Sequence, residues 1–152
     1  MTRIMFVCHG NICRSPMAEF LMKYIVEKKG IASEFFIDSS ATSTEELGDP
    51  VYPETKRILA RLNISTNGKV AKQLKRADYE NFDYFLCMDR HNLRSAIRIL
   101  DGDKDNKVSL LLDFSSNPRP VADPYYTGNF ELTYNDILEG IDALLEHILK
   151  NK

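Results

Sequence analysis

Apolar residues follow two different spacings along the chain. Short continuous apolar runs are typical of buried β-strands, and they occupy residues 3–8, 34–39, 82–88 and 108–112. Longer stretches carry apolar residues every three or four positions, which predicts helices from Pro16 to near Gly30 and over residues 53–62, 90–100 and 130–150. The alternation of strands and helices predicts an α/β protein, in which helices cover both faces of a four-stranded parallel sheet.

Polar residues and glycines mark the ends of these elements. Ser15 and Pro16 are typical of an N-cap and a first helical position, with Glu19 in the first turn and Gly30 as a terminator. A polar, proline-containing stretch over residues 113–129 is predicted to be a loop. We see no internal repeat or linker in the sequence, so residues 1–152 are predicted to form one domain.

The composition argues against several classes of partner. With 43% hydrophobic residues and a formal net charge of −2, the chain gives no reason to expect a nucleic-acid partner or a membrane surface. No signal peptide is visible at the start of the sequence, and no stretch approaches the roughly 18 apolar residues of a membrane span, so we expect neither. The locally basic segment over residues 56–76 is interpreted as a solvated face, with an anionic partner as the alternative. Three cysteines do not suggest a secreted disulfide framework, so we expect a cytoplasmic protein.

The stretch VCHGNICRSP follows the first predicted strand and leads into the first helix. Its backbone N–H groups can curl inward to bind an anion, and the N-terminus of the helix adds to that field. Arg14 supplies a planar fork that suits two oxygens of a tetrahedral oxyanion. In such surroundings Cys8 is expected to be a thiolate that attacks a bound phosphorus, which predicts phosphoryl transfer through a cysteinyl-phosphate.

The same residues also have interpretations that involve no catalysis. A cysteine that closes a buried strand is usually a small core residue, but the spacing to Arg14 and the strand-to-helix context favour the nucleophile. A metal site is a poorer interpretation, because Cys8, His9 and Cys13 lack a fourth ligand at a familiar spacing. We therefore expect neither a metal nor a cofactor.

VCHGNICRSP resembles the signature of the low-molecular-weight protein tyrosine phosphatases. The resemblance continues through IDSSATS, FDYFLCMDRHNL and ADPYYTG, in order along essentially the whole chain. It implies a three-layer, flavodoxin-like fold, phosphotyrosine-containing proteins as substrates, and inorganic phosphate or another oxyanion in the site. It also implies that Cys8 is the nucleophile, Arg14 binds the phosphoryl group and Asp123 is the general acid. The phosphate loop then contains His9, Gly10, Asn11, Ile12, Cys13 and Ser15.

The resemblance implies further supporting roles. Ser15 would donate to the cysteine sulfur, and Asn11 would hold the loop in shape from a left-handed backbone conformation. Ser39 and Asp89 match supporting positions behind the loop, and Tyr125 and Tyr126 match walls for an aromatic substrate. This sequence departs from the family where Lys69 replaces a histidine and where Glu45 and Glu46 replace an aromatic residue, so substrate preference does not carry over.

Three alternatives use similar parts. Arsenate reductases on this fold pass electrons through further cysteines, and Cys87, inside a predicted strand, is a poor candidate for that relay. Protein-arginine phosphatases carry threonine where this chain has Ile12, whose apolar side chain favours a phenyl ring. A phosphocarrier protein would hold phosphate on a strand-end cysteine, but it would not need Asp123 or the arginine fork.

The second cysteine of the loop raises a redox prediction. Wrapping the loop around one phosphate brings its ends together, and a disulfide needs Cα atoms about 4.4–6.8 Å apart. We therefore predict that Cys8 and Cys13 form a reversible disulfide under mild peroxide. The alternative is that Cys13 is a small residue packed under the loop.

Overall fold

The computed structural model describes residues 1–151, and a parallel sheet lies at its centre. Among these residues the sheet has four strands, β1 (Thr2–Cys8), β2 (Phe35–Ala41), β3 (Tyr84–Cys87) and β4 (Val108–Leu110). The strand order is β2-β1-β3-β4, and every adjacent pair is parallel. Strand β1 has β2 on one side and β3 on the other, so the strand order changes direction at β1. Sheets of this kind bind ligands at the carboxyl end of the strands at such a switch point, and Cys8 lies there.

Helices flank the sheet on both faces. In the described residues they are α1 (Arg14–Lys28), α2 (Pro53–Ala60), α3 (Asp78–Asn81), α4 (Arg90–Leu100), α5 (Pro124–Thr127) and α6 (Phe130–Lys150). Alternate side chains of β1 point to opposite faces: Ile4 and Phe6 pack with α1 and α6, whereas Met5 and Val7 pack with α4. The predicted three-layer α/β fold is therefore confirmed.

The last helix covers one face through a continuous apolar stripe. Ile137, Ile141 and Leu144 are fully buried, as the helical spacing predicts. Gly140 lets α6 approach the segment after β4, because a Cβ atom there would lie 2.5 Å from Leu111 Cγ. The same close packing explains one error in the predicted strands. Leu111 and Leu112 form a buried 3₁₀ turn (Leu111–Phe114) rather than the end of β4.

Several predicted boundaries also shift. The second strand continues to Ala41 instead of ending at residue 39, and the third is confined to Tyr84–Cys87 instead of spanning 82–88. Helix α2 ends at Ala60, two residues early. The short helices α3 and α5 were not predicted, because four-residue helices are too short to show a hydrophobic period. Helices α4 and α6 have the predicted bounds.

The basic segment 56–76 faces carboxylates of the same chain. Ion pairs join Arg57 to Glu54, Arg61 to Glu131, Lys69 to Glu19, Lys72 to Asp38, and Arg76 to Asp101. This pairing favours the interpretation of a solvated face over a dedicated anion-binding patch. Within residues 1–151, no helix is both long enough and apolar enough to span a bilayer.

Candidate active site

The Cys8 thiol lies at the carboxyl end of β1 and is buried. Its Sγ atom is 2.9 Å from Ser15 Oγ and accepts a hydrogen bond from the Asn11 N–H at 3.3 Å. Both contacts come from the segment that follows β1, so the sulfur is held inside the turn that this segment makes. The loop between β1 and α1 is therefore folded around Cys8.

Asn11 holds this loop in shape. Its φ of 58° confirms the predicted left-handed conformation, which asparagine tolerates better than most residues. Its side-chain Nδ2 donates to Ser15 Oγ at 2.8 Å and to Ser39 Oγ at 2.9 Å, while Oδ1 accepts from the Lys72 N–H at 3.2 Å. One buried amide thus connects the loop to β2 and to the segment that follows Val70.

The start of α1 differs from the prediction in a way that matters for the site. The helix begins at Arg14, with Cys13 at the N-cap position, so Ser15 is not the cap. The hydroxyl of Ser15 instead contacts Cys8 and Asn11. Glu19 does not lie in the first turn either: it is buried and accepts a hydrogen bond from Ser39 Oγ at 2.5 Å. Both residues that look like capping signals in the sequence belong to the buried polar network.

Arg14 joins three segments of the site. Its side chain is only 5% exposed, and Nη2 lies 3.0 Å from Asp89 Oδ2 and 3.4 Å from Asp123 Oδ2. Nη1 donates to the Val121 carbonyl at 3.2 Å. Asp89 also caps α4, because Oδ1 accepts from the Asn92 N–H at 2.8 Å. The guanidinium is therefore oriented by two carboxylates and a carbonyl that lie outside the loop.

The segment that carries Asp123 is anchored at its start and open at its end. The Ala122 N–H donates to Asp136 at 3.0 Å, and Thr133 Oγ1 donates to the Ala122 carbonyl at 2.8 Å. Asp123 is the N-cap of α5. The next side chains, Tyr125 and Tyr126, are 87% and 83% exposed and meet edge to face at 5.2 Å. The resemblance implied walls for a substrate ring, and these side chains project into solvent beside the loop.

The rim of the loop carries polar contacts. His9 Nε2 lies 3.0 Å from Glu45 Oε2, and a Cβ atom at Gly10 would lie 3.2 Å from Glu46 Cγ. A side chain at position 10 would therefore be in tight contact with Glu46, whose side chain would have to shift slightly. A hydrogen bond with Asp49 is the main cause that raises the pKa of the Glu46 carboxyl. The acidic residues that replace an aromatic in the family pattern thus lie directly against the phosphate loop.

The other cysteines occupy contrasting environments. Cys13 Sγ accepts a hydrogen bond from Thr55 Oγ1 at 3.2 Å, and burial raises the pKa of its thiol to about 12. Cys87 is fully buried at the end of β3, and burial likewise raises the pKa of its thiol. All three cysteines are free thiols. Within residues 1–151, no three His, Cys, Asp or Glu residues are grouped so that they could hold a metal ion.

Part of the site has no signal in the local sequence. Lys69, which replaces the family's histidine, has a side chain only 9% exposed and lies 3.1 Å from Glu19 Oε1. It also donates to the Ser39 carbonyl at 3.0 Å, whereas Asn11 Oδ1 is held by the Lys72 backbone. The buttress behind Asn11 therefore differs from the expected one. These residues are far apart in sequence, and only the resemblance drew attention to Lys69.

A thiol and a guanidinium thus lie on one segment at the switch point of a parallel sheet, as the sequence predicts for an oxyanion-binding cysteine site. The sequence matches the profile of the low molecular weight phosphotyrosine protein phosphatase family over residues 3–152. The chain therefore belongs to this family of phosphatases.

The chain is similar to known proteins along its whole length, both in sequence and in structure. The chain is 40% identical to the low molecular weight protein-tyrosine-phosphatase YfkJ of Bacillus subtilis, over 100% of this chain and 99% of the relative. The crystal structure of YfkJ superposes with a TM-score of 0.93 at 38% identity, covering 100% of this chain and 97% of that one. The Drosophila arginine phosphatase DARP superposes with a TM-score of 0.87 at 27% identity, over 97% and 98% of the two chains.

Proposed function

We propose that this protein is a protein tyrosine phosphatase that hydrolyses phosphotyrosine and small aryl phosphates through a cysteinyl-phosphate intermediate. One observation carries the proposal. Arg14 Nη2 lies 3.4 Å from Asp123 Oδ2, at the mouth of the same loop in which Ser15 and Asn11 contact Cys8 Sγ. A nucleophile, a phosphoryl-binding fork and an acid are thereby brought to one place.

In the first step the phosphoryl oxygens bind the backbone N–H groups of the loop and the fork of Arg14. The Cys8 thiolate attacks phosphorus in line with the ester oxygen, so a P–S bond forms as the P–O bond to the phenol breaks. Asp123 donates its proton to that oxygen, and tyrosine leaves as a neutral phenol. The contact between Arg14 and Asp123 supports this step, because it joins the loop of the proposed acid to the guanidinium that is proposed to bind the phosphoryl group.

In the second step Asp123, now a carboxylate, takes a proton from water that attacks the phosphorus. The P–S bond breaks, inorganic phosphate forms and the Cys8 thiolate returns. A hydrogen bond from Ser15 to the sulfur, across 2.9 Å, stabilises the departing thiolate. Asp89 orients Arg14 throughout, because its Oδ2 lies 3.0 Å from Nη2.

The surroundings of the loop favour an aromatic substrate. Ile12 offers an apolar surface, and the exposed rings of Tyr125 and Tyr126 lie on the segment that carries the acid. The names of YfkJ and of the Staphylococcus aureus relative PtpA, which is 36% identical, agree with this substrate class. The substrate in the cell is then a phosphotyrosine-containing protein.

Arginine phosphorylated on its guanidinium is the second candidate substrate, because the Drosophila arginine phosphatase shares this fold. Such a substrate presents a polar, planar group where phosphotyrosine presents a ring, and Ile12 offers it no hydrogen bond. We therefore rank it second. Comparing kcat/KM for matched phosphotyrosine and phosphoarginine peptides decides between the two.

The basic experiment measures nitrophenol release from p-nitrophenyl phosphate. We expect many turnovers per protein molecule and competitive inhibition by phosphate or vanadate. A stoichiometric burst that stops after one turnover would instead indicate a phosphocarrier. A higher rate on phosphoarginine than on phosphotyrosine peptides would assign the protein to the arginine phosphatases.

The free thiols also bear on the location and regulation of the protein. We infer that it works in the reducing cytoplasm, where Cys8 remains a thiol. We also propose that a reversible disulfide with Cys13 protects Cys8 from over-oxidation. The proximity of Cys13 supports this proposal, whereas its raised pKa, about 12, slows the trapping step.

A further inference from the structure

A continuous chain of hydrogen bonds runs from a buried ion pair to the sulfur of Cys8. Lys69 Nζ lies 3.1 Å from Glu19 Oε1, which accepts from Ser39 Oγ at 2.5 Å. Ser39 Oγ contacts Asn11 Nδ2 at 2.9 Å, and the same Nδ2 contacts Ser15 Oγ at 2.8 Å. Ser15 Oγ then lies 2.9 Å from Cys8 Sγ. Every member of this chain except Lys69 is less than 5% exposed.

The two ends of the chain determine which atom donates at each step. An ionised Glu19 can only accept, so Ser39 must give its hydroxyl proton to Glu19 and present a lone pair to Asn11. The Lys72 backbone N–H can only donate, so it faces Asn11 Oδ1 and turns Nδ2 toward both serines. Ser15 then accepts from Asn11, and when Cys8 is the thiolate of the proposed mechanism the Ser15 proton points at its Sγ.

We propose that Glu19, paired with Lys69, is a positioning residue that keeps the Ser15 hydroxyl donating to Cys8. The proposal rests on the proposed function only in taking Cys8 as the nucleophile. Glu19 touches neither the substrate nor the sulfur. It acts through Ser39, Asn11 and Ser15 by fixing the direction of their protons.

The chain has a competing arrangement that Glu19 opposes. If the Asn11 amide rotated by half a turn, Oδ1 would face both serines, and each would donate to it. Ser15 would then turn its proton away from Cys8, and the sulfur would lose its hydroxyl donor. Two contacts disfavour this state: the Lys72 N–H would face the Nδ2 donor, and the carboxylate of Glu19 accepts the Ser39 proton in a charge-assisted hydrogen bond.

Lys69 helps to keep Glu19 in place as the acceptor of the Ser39 proton. The Lys69 ammonium can only donate, so Glu19 Oε1 accepts from Lys69 on one side and from Ser39 on the other. The charged groups that face this pair are Lys23, 2.6 Å from Glu19, and Asp38, 3.5 Å from Lys69, with Lys72 on the far side of Asp38. Lys23 is half exposed, so Lys69 is the buried cation of the group.

The test is the rate at which iodoacetamide alkylates Cys8, measured against pH and assigned by peptide mapping. Glu19→Gln keeps the shape of the side chain but removes the acceptor-only end. We expect the Cys8 alkylation rate at pH 6 to fall by about tenfold, the effect of losing one hydrogen bond to a charged atom. The rate at high pH should be unchanged. Glu27→Gln, an exposed carboxylate further along α1, is the matched control and should alkylate like wild type.

The direction of this change separates the relay from simple electrostatics. Removing a negative charge near Cys8 favours the thiolate and would speed alkylation, whereas loss of the Ser15 hydrogen bond slows it. The relay also predicts that Glu19→Gln has no further effect in a Ser15→Ala background, because the proposed relay acts on the sulfur through the Ser15 hydroxyl. Faster or unchanged alkylation in Glu19→Gln, or an equal slowing in both backgrounds, would overturn the proposal.

A second variant covers failure of the first to fold. Lys69→Met should slow Cys8 alkylation in the same direction, and this slowing should also vanish with Ser15→Ala; a slowing that persists there contradicts the relay. Alkylation needs no turnover, so these results stand even if the protein proves inactive on aryl phosphates. Where turnover is measured, Glu19→Gln should lower kcat and leave KM nearly unchanged.

Discussion

The two loops that form the site are built in opposite ways. The loop after β1 is buried and bonded internally: Asn11 and Ser15 are almost inaccessible, and each contacts Cys8. The loop before α6 is open, with Asp123 about one-third exposed and its two tyrosines in solvent. In the proposed mechanism, binding and attack are therefore pre-organised, whereas the acid lies on a segment that can adjust to the leaving group.

Arg14 is where the two loops meet, so its replacement has the largest expected effect among the variants that keep the thiol. Arg14→Lys should lower kcat/KM for p-nitrophenyl phosphate by about 10³-fold, because an ammonium cannot form the bidentate fork. Arg61→Lys, in an exposed pair with Glu131, is the control and should retain its rate. A near-normal rate in Arg14→Lys would show that the guanidinium does not bind the phosphoryl group.

Asp123→Asn should damage the open loop and spare the buried one. We expect kcat for phenyl phosphate to fall by about 10²-fold, within the usual range for general acids, and to fall less for p-nitrophenyl phosphate. The better leaving group has less need of a proton. Inhibition by vanadate should be nearly unchanged. Equal losses on both esters would move the acid role elsewhere, with Asp89 as the next candidate.

The proposed disulfide between Cys8 and Cys13 can be tested by following oxidation and recovery of the buried loop. Because the pKa of Cys13 is raised to about 12, its thiolate fraction, and hence the trapping of oxidised Cys8, should grow about tenfold per pH unit between pH 6 and 8. Activity recovered with dithiothreitol after a peroxide pulse measures this trapping. Cys13→Ser should start active and recover poorly at every pH, whereas recovery equal to wild type would leave Cys13 as a packing residue.

Thr133→Val gives the smallest expected effect and addresses the anchor of the open loop. It removes the hydrogen bond from Thr133 Oγ1 to the Ala122 carbonyl, next to Asp123, at a cost of about 1 kcal/mol. We expect kcat for phenyl phosphate to fall about fivefold, which is that energy expressed as a rate. The vanadate inhibition constant should not move. If the variant instead weakened vanadate binding, the two loops would not be independent.

Elements fixed by local contacts could be predicted from the sequence, whereas those fixed by tertiary contacts could not. Helices α4 and α6 have the predicted bounds because local signals agree there: Asp89 and Asn129 accept capping hydrogen bonds, and an apolar stripe follows each of them. The predicted start of α1 was wrong. Serine is a common N-cap residue, but the hydroxyl of Ser15 contacts Cys8 and Asn11 instead. Local patterns predict local bonds, and they fail where tertiary partners compete for the same atoms.

The roles in the buried network lie beyond such patterns. Cys8 and Arg14 share one short segment, so their spacing was visible in the sequence. Glu19 and Lys69 are separated by nearly fifty residues, and each alone is typical of a surface charge. Leu111 and Leu112 were assigned to a strand because burial against α6 gives them the same apolar pattern. In each case the deciding partner comes from a distant part of the chain.

Rapid acid quenching during turnover tests directly whether the phosphoryl group is transferred to Cys8. Mixing the enzyme with p-nitrophenyl phosphate and quenching within a turnover should leave a phosphoryl group on the peptide that contains Cys8, detected by mass spectrometry at low pH. Cys8→Ser should give no such adduct and no turnover, while it still binds vanadate. Phosphate found on the neighbouring His9, or steady turnover by Cys8→Ser, would contradict the account.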